Sequence, residues 1–545
     1  MPLDALVSGR IATFAGETGF GWVEAIGIRD GRIAFAGSAV ELESRADPLT
    51  RRFELDPGEI AIPALTDAHL HLADAALAAD QVDLSAAATL EDGLALVAEA
   101  AARHPPDAWL EGAGWDERRW GRWPRGADLE AAAPGRRVAL WSYDHHSIWA
   151  SPAALAAAGV GAATADPPGG VIRRDDDGRP EGVLFEAACG LVTSLIGPPD
   201  EATLERGIVA LGDELLSLGV VGVHDPGSLS ADPELRGLER LAHVSERDAL
   251  RLRVHASVRS DGLETAIERD LQSGGPLGAD PRARIRLGWL KLFADGTLGS
   301  RTAALLEPIE PDAAGEGIDP RGVFRLPPTE LADWVARGAT GRIASQVHAI
   351  GDAAVRAALN ALAPSAAAVP LMPRVEHVQL CHPDDRARFA DLGVAASVQP
   401  VHLRADAAKA RRDWGSRAEV RGYAWRSLLE AGAVVAFGTD APVEPVDPWP
   451  GIALAVLRRD PSWGEDDTPF GPHESLPLEA ALRAACVGPY ATVRDPLGGR
   501  LVPGSPADLI VLPAEPAGAD DNGGVGLARV RPRLVLVAGE AVVDR

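Results

Sequence analysis

The stretch Ile62-Pro63-Ala64-Leu65-Thr66-Asp67-Ala68-His69-Leu70-His71 decides how the rest of the chain is read. It is a short apolar run that ends in two histidines spaced two apart, the spacing that puts side chains on one side of an extended strand. Both imidazoles could then present a nitrogen to one metal ion at about 2.0–2.1 Å. A single histidine would more often be structural, so the stretch gains meaning from what recurs elsewhere.

It does recur. Apolar runs of strand length lie at 62–71, 220–225, 251–258, 285–293, 345–350, 374–379, 395–399 and 434–440, separated by Ala- and Leu-rich helical stretches. Strands alternating with helices form parallel sheets. Eight such units close into a TIM barrel, whose reactive groups stand at the C-terminal ends of the strands. The fold class expected is therefore α/β, a (β/α)8 barrel. Lys291 falls near the end of the fourth run, His348 of the fifth, His377 of the sixth and Asp440 of the eighth.

Lys291 stands out for another reason: the chain has only two lysines among its 53 basic residues. Arginine is permanently charged and nearly inert, whereas a buried lysine can lose its proton and attack a carbonyl or carbon dioxide. The competing reading is a chance survivor whose stem packs and whose ammonium reaches solvent.

About 150 residues separate the first two strands, where a crossover needs a dozen or more, so a domain is inserted there. It holds Trp109, Trp115, Trp120, Trp123, Trp141 and Trp149, which either contact substrate over the barrel mouth or form a core of their own; packing is the favoured role of large aromatics. Strand-like segments at 22–28 and 32–36, joined by Asp30-Gly31, are matched by others at 507–512 and 532–543. The expected organisation is a small β-sandwich from 1–60 and 495–545, a barrel from 61–80 and 206–494, and an inserted Trp-rich subdomain at 81–205.

Seventy-nine acidic residues against 53 basic ones give a formal charge of −26, which argues against nucleic acid or an anionic membrane as partner and leaves a small-molecule substrate. Solubility accounts for the same charge. Cys189, Cys381 and Cys486 form no CxxC pair, and 1–14 contain no apolar export signal, so the expected location is the cytoplasm.

The HxH strand, Lys291-Leu292-Phe293-Ala294-Asp295-Gly296, Phe437-Gly438-Thr439-Asp440-Ala441-Pro442 and Gly504-Ser505-Pro506-Ala507-Asp508-Leu509 together resemble the amidohydrolase superfamily, and the added segments its YtcJ-like branch, amidohydrolase family 3. The resemblance implies a metal-dependent hydrolase of carbon–nitrogen bonds in amides, formamides or cyclic amides. It implies two divalent ions, zinc above others. His69, His71 and Asp440 would hold one and His348 and His377 the other, with Lys291, carboxylated, bridging them. Metal-activated hydroxide would attack the carbonyl and Asp440 would carry the proton to the leaving group. The resemblance also brings in His146, Trp115, Asp295 and Glu186 as substrate-binding candidates and makes a homodimer an expectation. His224 and Asp225 would orient ligands from outside the metal sphere. Two alternatives stand beside this: Lys291 as a Schiff-base residue of a barrel aldolase or lyase, and an inactive ligand-binding protein on the same fold.

Overall fold

A computed structural model describes residues 3–142, 147–168, 170–197, 201–228, 230–299, 301–311, 319–464, 468–514 and 525–545. The chain divides into two compact units, one of residues 1–75 with 208–545 and the other of 76–207.

The first unit is built around eight parallel strands: β1 (Leu65–Asp67), β2 (Val220–Asp225), β3 (Arg253–Arg259), β4 (Ile285–Phe293), β5 (Ser345–Ala349), β6 (Arg374–His377), β7 (Ala395–Val398) and β8 (Val435–Phe437). They pair in sequence order from β1 to β8. The seam between first and last is closed just past the strands, where Ala68 N donates to Phe437 O at 2.9 Å and Asp440 N to His69 O at 2.7 Å. Helices return the chain between strands, among them Arg236–Glu246, Pro328–Thr340, Asp352–Leu362 and Pro383–Leu392. This is the expected (β/α)8 barrel. Nearly every strand residue is buried, as parallel strands covered on both faces must be.

The expected first strand, 62–71, is two strands and a loop. Ile60–Pro63 pairs antiparallel with Leu509–Leu512 in a sheet that gathers segments from both ends of the chain, and only Leu65–Asp67 joins the barrel. His69 and His71 lie beyond it in non-strand backbone. Their convergence therefore comes from the loop and not from strand alternation. The chain-end sheet packs its apolar side chains around Val7, Ile28, Ile33, Leu509, Val511, Leu534 and Leu536.

Residues 76–207 carry a separate six-stranded sheet in the order Gly170–Arg174, Pro180–Glu186, Ser147–Ala150, Arg137–Ser142, Trp109–Trp115, Val82–Asp83. Trp115 and Trp149 are fully buried in its core, with Trp120 and Trp123 packed against them. Trp115 donates its indole N–H to Leu140 O at 2.8 Å. The expectation that Trp115 binds substrate is thus corrected: its large apolar ring is sealed inside the unit's core.

Candidate metal centre

The loop after β1 is shaped by Asp67, whose carboxylate accepts from the N–H of His69 (2.9 Å) and from the N–H and hydroxyl of Thr439 (3.1 and 2.7 Å), tying the first strand's exit to the last strand's exit. Gly438 leaves room for this approach, since a Cβ there would stand 2.5 Å from His69 N. His377 and Asp440 both have left-handed backbone, with φ of 73° and 63°, uncommon for residues with a Cβ and characteristic of positions held by function.

Each imidazole is oriented by what its second nitrogen does. His71 Nδ1 lies 2.6 Å from Gly227 O, which can only accept, so Nδ1 carries a proton and Nε2 is the nitrogen turned toward the other side chains of the site. Gly227 is in turn held by Asp225, whose Oδ1 accepts its N–H at 2.8 Å. His69 Nδ1 lies 2.5 Å from Glu376 Oε2, which likewise makes Nε2 the nitrogen that faces inward. Both Nε2 atoms turn toward Asp440 Oδ1, at 3.3 Å from His69 and 3.5 Å from His71. Orientation of a ligand histidine by a carboxylate or a carbonyl is the usual support of a metal site.

Ligand atoms of His69, His377 and Asp440 all lie within 4.8 Å of one another. His377 Nδ1 is buried without a hydrogen-bond partner. Its ring stands 4.5 Å from that of His348 and 5.2 Å from that of His69. His348 points its Nε2 at Gly296 O, 3.0 Å away. The Lys291 amine is 3.4 Å from His69 Nε2. The six residues from five strand ends are therefore neighbours around one cavity of about 390 Å³.

The electrostatics suit a cation. Burial pushes His348 down to about 3 and, with the His348 imidazole close beside it, His377 well below the ordinary histidine range, so both are neutral lone-pair donors at pH 7. Burial likewise lowers Lys291 to about 8, against the opposing pull of Glu376 and Asp440. For Asp440, burial is outweighed by the neighbouring His69, His402 and His71, which hold it well below the usual carboxylate range. An unpartnered buried imidazole nitrogen, neutral histidines and an ionised carboxylate form a donor set that fits a divalent metal.

Several residues of the site carried no assigned role in the sequence reading. Glu376 sits between His69 and Arg374, whose guanidinium is 2.7 Å from Glu376 Oε1, off the line of a hydrogen bond. Fully buried Arg374 also donates to Ala68 O (2.7 Å), Gln346 Oε1 (2.8 Å) and His224 Nδ1 (2.9 Å), tying four barrel strands together. His224 thus acts through Arg374. His402 places Nε2 3.2 Å from Asp440 Oδ2 and Nδ1 3.6 Å from Glu444 Oε1. The signal for His402 was its position just past the seventh strand, where the other strand ends already carried ligands.

Asp295 is corrected from a substrate contact to a positioning group. It is fully buried, and its two oxygens accept the backbone N–H groups of Ala304, Ile350 and Gly351 at 2.9–3.0 Å, fixing the loops that flank His348. Burial raises its pKa to about 7 against those three donors. Glu186 ends the strand Pro180–Glu186 in the inserted unit, and its side chain, like all of His146, lies outside the described residues.

These features define a class: a (β/α)8 barrel with a histidine- and carboxylate-rich candidate metal site at the C-terminal ends of its strands. The chain belongs to the amidohydrolase family, whose profile matches residues 57–543. It is 29% identical over 509 residues to YtcJ of Bacillus subtilis (strain 168), covering 91% of this chain and 92% of that protein. It is 27% identical to the N-substituted formamide deformylase of Arthrobacter pascens, covering 90% of each. The fold matches an uncharacterized metal-dependent hydrolase from Pyrococcus furiosus with a TM-score of 0.73 at 24% identity, over 94% of this chain and all of that one.

Proposed function

We propose that this hydrolase cleaves a carbon–nitrogen bond of an amide, formamide or cyclic amide, using two divalent metal ions at the strand ends. The observation that carries it is the joint aim of His69 and His71, each with Nδ1 engaged behind it, at Asp440 beside the unpartnered nitrogen of His377. His69, His71 and Asp440 would hold one ion, His348 and His377 the other, and Lys291 would serve both as its carbamate. Bound there, the metals would acidify water and polarise the scissile carbonyl, and a nitrogen-rich set with carboxylates is the chemistry zinc prefers.

The chain's own groups do the rest. Lys291 is lowered by burial to about 8, so a neutral fraction exists near pH 7 to add to carbon dioxide, forming an N–C bond and releasing a proton. The product is an anion, which relieves crowding of cations: the guanidinium groups of Arg259 and Arg325 and the Lys291 amine all lie 5.0–5.2 Å from the centroid of the Phe293 ring. Asp440, ionised and facing both histidines, receives the proton from the attacking water and returns it to the leaving nitrogen. His402 stands on the other oxygen of Asp440 and keeps a second proton at the cavity wall. The N-substituted formamide deformylase relative supports a formamide or small amide as the substrate class. Three buried cysteines without a CxxC pair fit a reducing cytoplasm.

Chelation of metal from the purified protein should abolish amide hydrolysis, and zinc should restore it. Lys291→Ala should lose metal and activity together, with partial rescue by short carboxylic acids that replace the carbamate; a variant that retains full metal and turnover overturns the bridging role. Borohydride should fail to trap a carbonyl compound on Lys291; trapping would favour the Schiff-base reading.

A further inference from the structure

Both lysines of the chain line the same cavity. Lys409 stands at its wall together with Arg325, on the side opened by Gly296, Thr297 and Gly299. We propose that Arg325 and Lys409 bind a carboxylate, so that the preferred substrate is an amide whose substituent bears that group. The inference rests on the hydrolase reading of this cavity.

Arg325 is placed by its backbone. Its N–H donates to Ala294 O at 2.8 Å, and Phe324 bridges to Asp295, which pins the segment to the chain just beyond β4. The guanidinium stacks on Phe293, 5.1 Å from the ring centroid, and the Lys291 amine is 5.0 Å from that centroid. Arg325 and Lys291 thus contact one aromatic ring. Among the described residues no carboxylate pairs with it, in a chain where acidic groups outnumber basic ones 79 to 53.

Lys409 is 43% exposed, and its one ion pair among the described residues is a 4.0 Å approach to Asp406. Asp406 is already engaged, accepting from the Tyr423 hydroxyl at 2.8 Å and from Gln379 Nε2 at 3.2 Å. Glu444, the other acid of the rim, is held by Arg404 at 2.6 Å and faces His402. Among the described residues, two cations therefore face the cavity without a dedicated counter-ion, while its two rim acids have partners.

The planar fork of Arg325 suits a carboxylate, and Lys409 adds a point charge. A monoanion fits better than a phosphate dianion because Asp406 and Glu444 share the rim. A cavity of about 390 Å³ has room for a small amide with one such group.

The test uses the metal-loaded full-length protein with N-formylphenylalanine, both enantiomers, and N-formyl-2-phenylethylamine, which lacks only the carboxylate. Calorimetric Kd and kcat/KM are both read. The acid should bind and react at least about tenfold better in one enantiomer, and added salt should weaken only the acid. Arg325→Met and Lys409→Met should collapse the acid-to-neutral ratio toward one, through KM and not kcat. Equal binding of acid and neutral amide, or a ratio unmoved in both variants, overturns the proposal. If the neutral amide is cleaved and the acid is not preferred, the anion site falls and the hydrolase reading survives. If the acid binds in an Arg325-dependent way and no amide is cleaved, the hydrolase reading falls and the anion site stands.

Discussion

His402 shows how much one side chain can hold in place. Burial alone would lower it, yet its contacts with Asp440 and Glu444 raise it to about 10, so in the metal-free protein it is a cation sealed beside the carboxylate that must carry a proton. Replacing it by glutamine keeps a polar group of similar size but removes the charge. We expect His402→Gln to retain its metals and lose roughly 10²- to 10³-fold in kcat, the scale on which a positioned donor acts. Elemental analysis beside steady-state kinetics checks this; loss of metal would show His402 to be a ligand. Neither its contact with Asp440 nor the Glu376 carboxylate behind His69 was assigned from the sequence. Both depend on residues far apart in the chain meeting side by side, which no local spacing encodes.

At the scale of elements, β6 does more than deliver His377. Its Arg374 and Glu376 form a fully buried ion pair whose members reach the exits of β1 and β2, the start of β5 and His69. Burial would raise Glu376, but Arg374 and His69 bring it down to about 2 from an ordinary 4.5. A depressed carboxylate stabilises the fold above its unfolded value near 4.5, and that contribution is lost as pH falls through about 2. Glu376→Gln should therefore destabilise metal-free protein by about 3–5 kcal/mol at neutral pH, because Arg374 is left as an uncompensated buried charge. The gap between variant and parent should shrink from pH 4.5 downward. Chemical denaturation of the metal-free proteins from pH 7 to 3 gives the comparison, and a gap that stays constant would show that the pair does not set acid stability.

Across the whole molecule, the chain ends support the barrel's first strand. Leu509–Leu512 pairs with Ile60–Pro63, which runs directly into β1 and the His69 loop. Arg253 and Asp508 form a close ion pair between β3 and the segment leading into that strand. Leu509 is fully buried among residues from both termini. Leu509→Ala should cost about 2–5 kcal/mol. Thermal and denaturant midpoints should fall while metal content at 25 °C is kept; an unchanged midpoint would mean that the chain-end sheet contributes little to holding the barrel.

The sequence by itself determined the eight alternating units, the strand ends that carry His69, His71, Lys291, His348, His377 and Asp440, and the scarcity of lysine that drew attention to Lys291. These are legible because burial and period act locally, and because a barrel puts every strand's C-terminal end on one rim. Tertiary structure decided the rest: that the first predicted strand breaks at Ala64 between two sheets, that Trp115 is core, that Asp295 is consumed by three backbone amides, and that Arg374, Glu376 and His402 fix the histidines and the acid. Those outcomes turn on which groups meet across hundreds of residues and on which of them water can still reach. The order of residues along the chain does not state either.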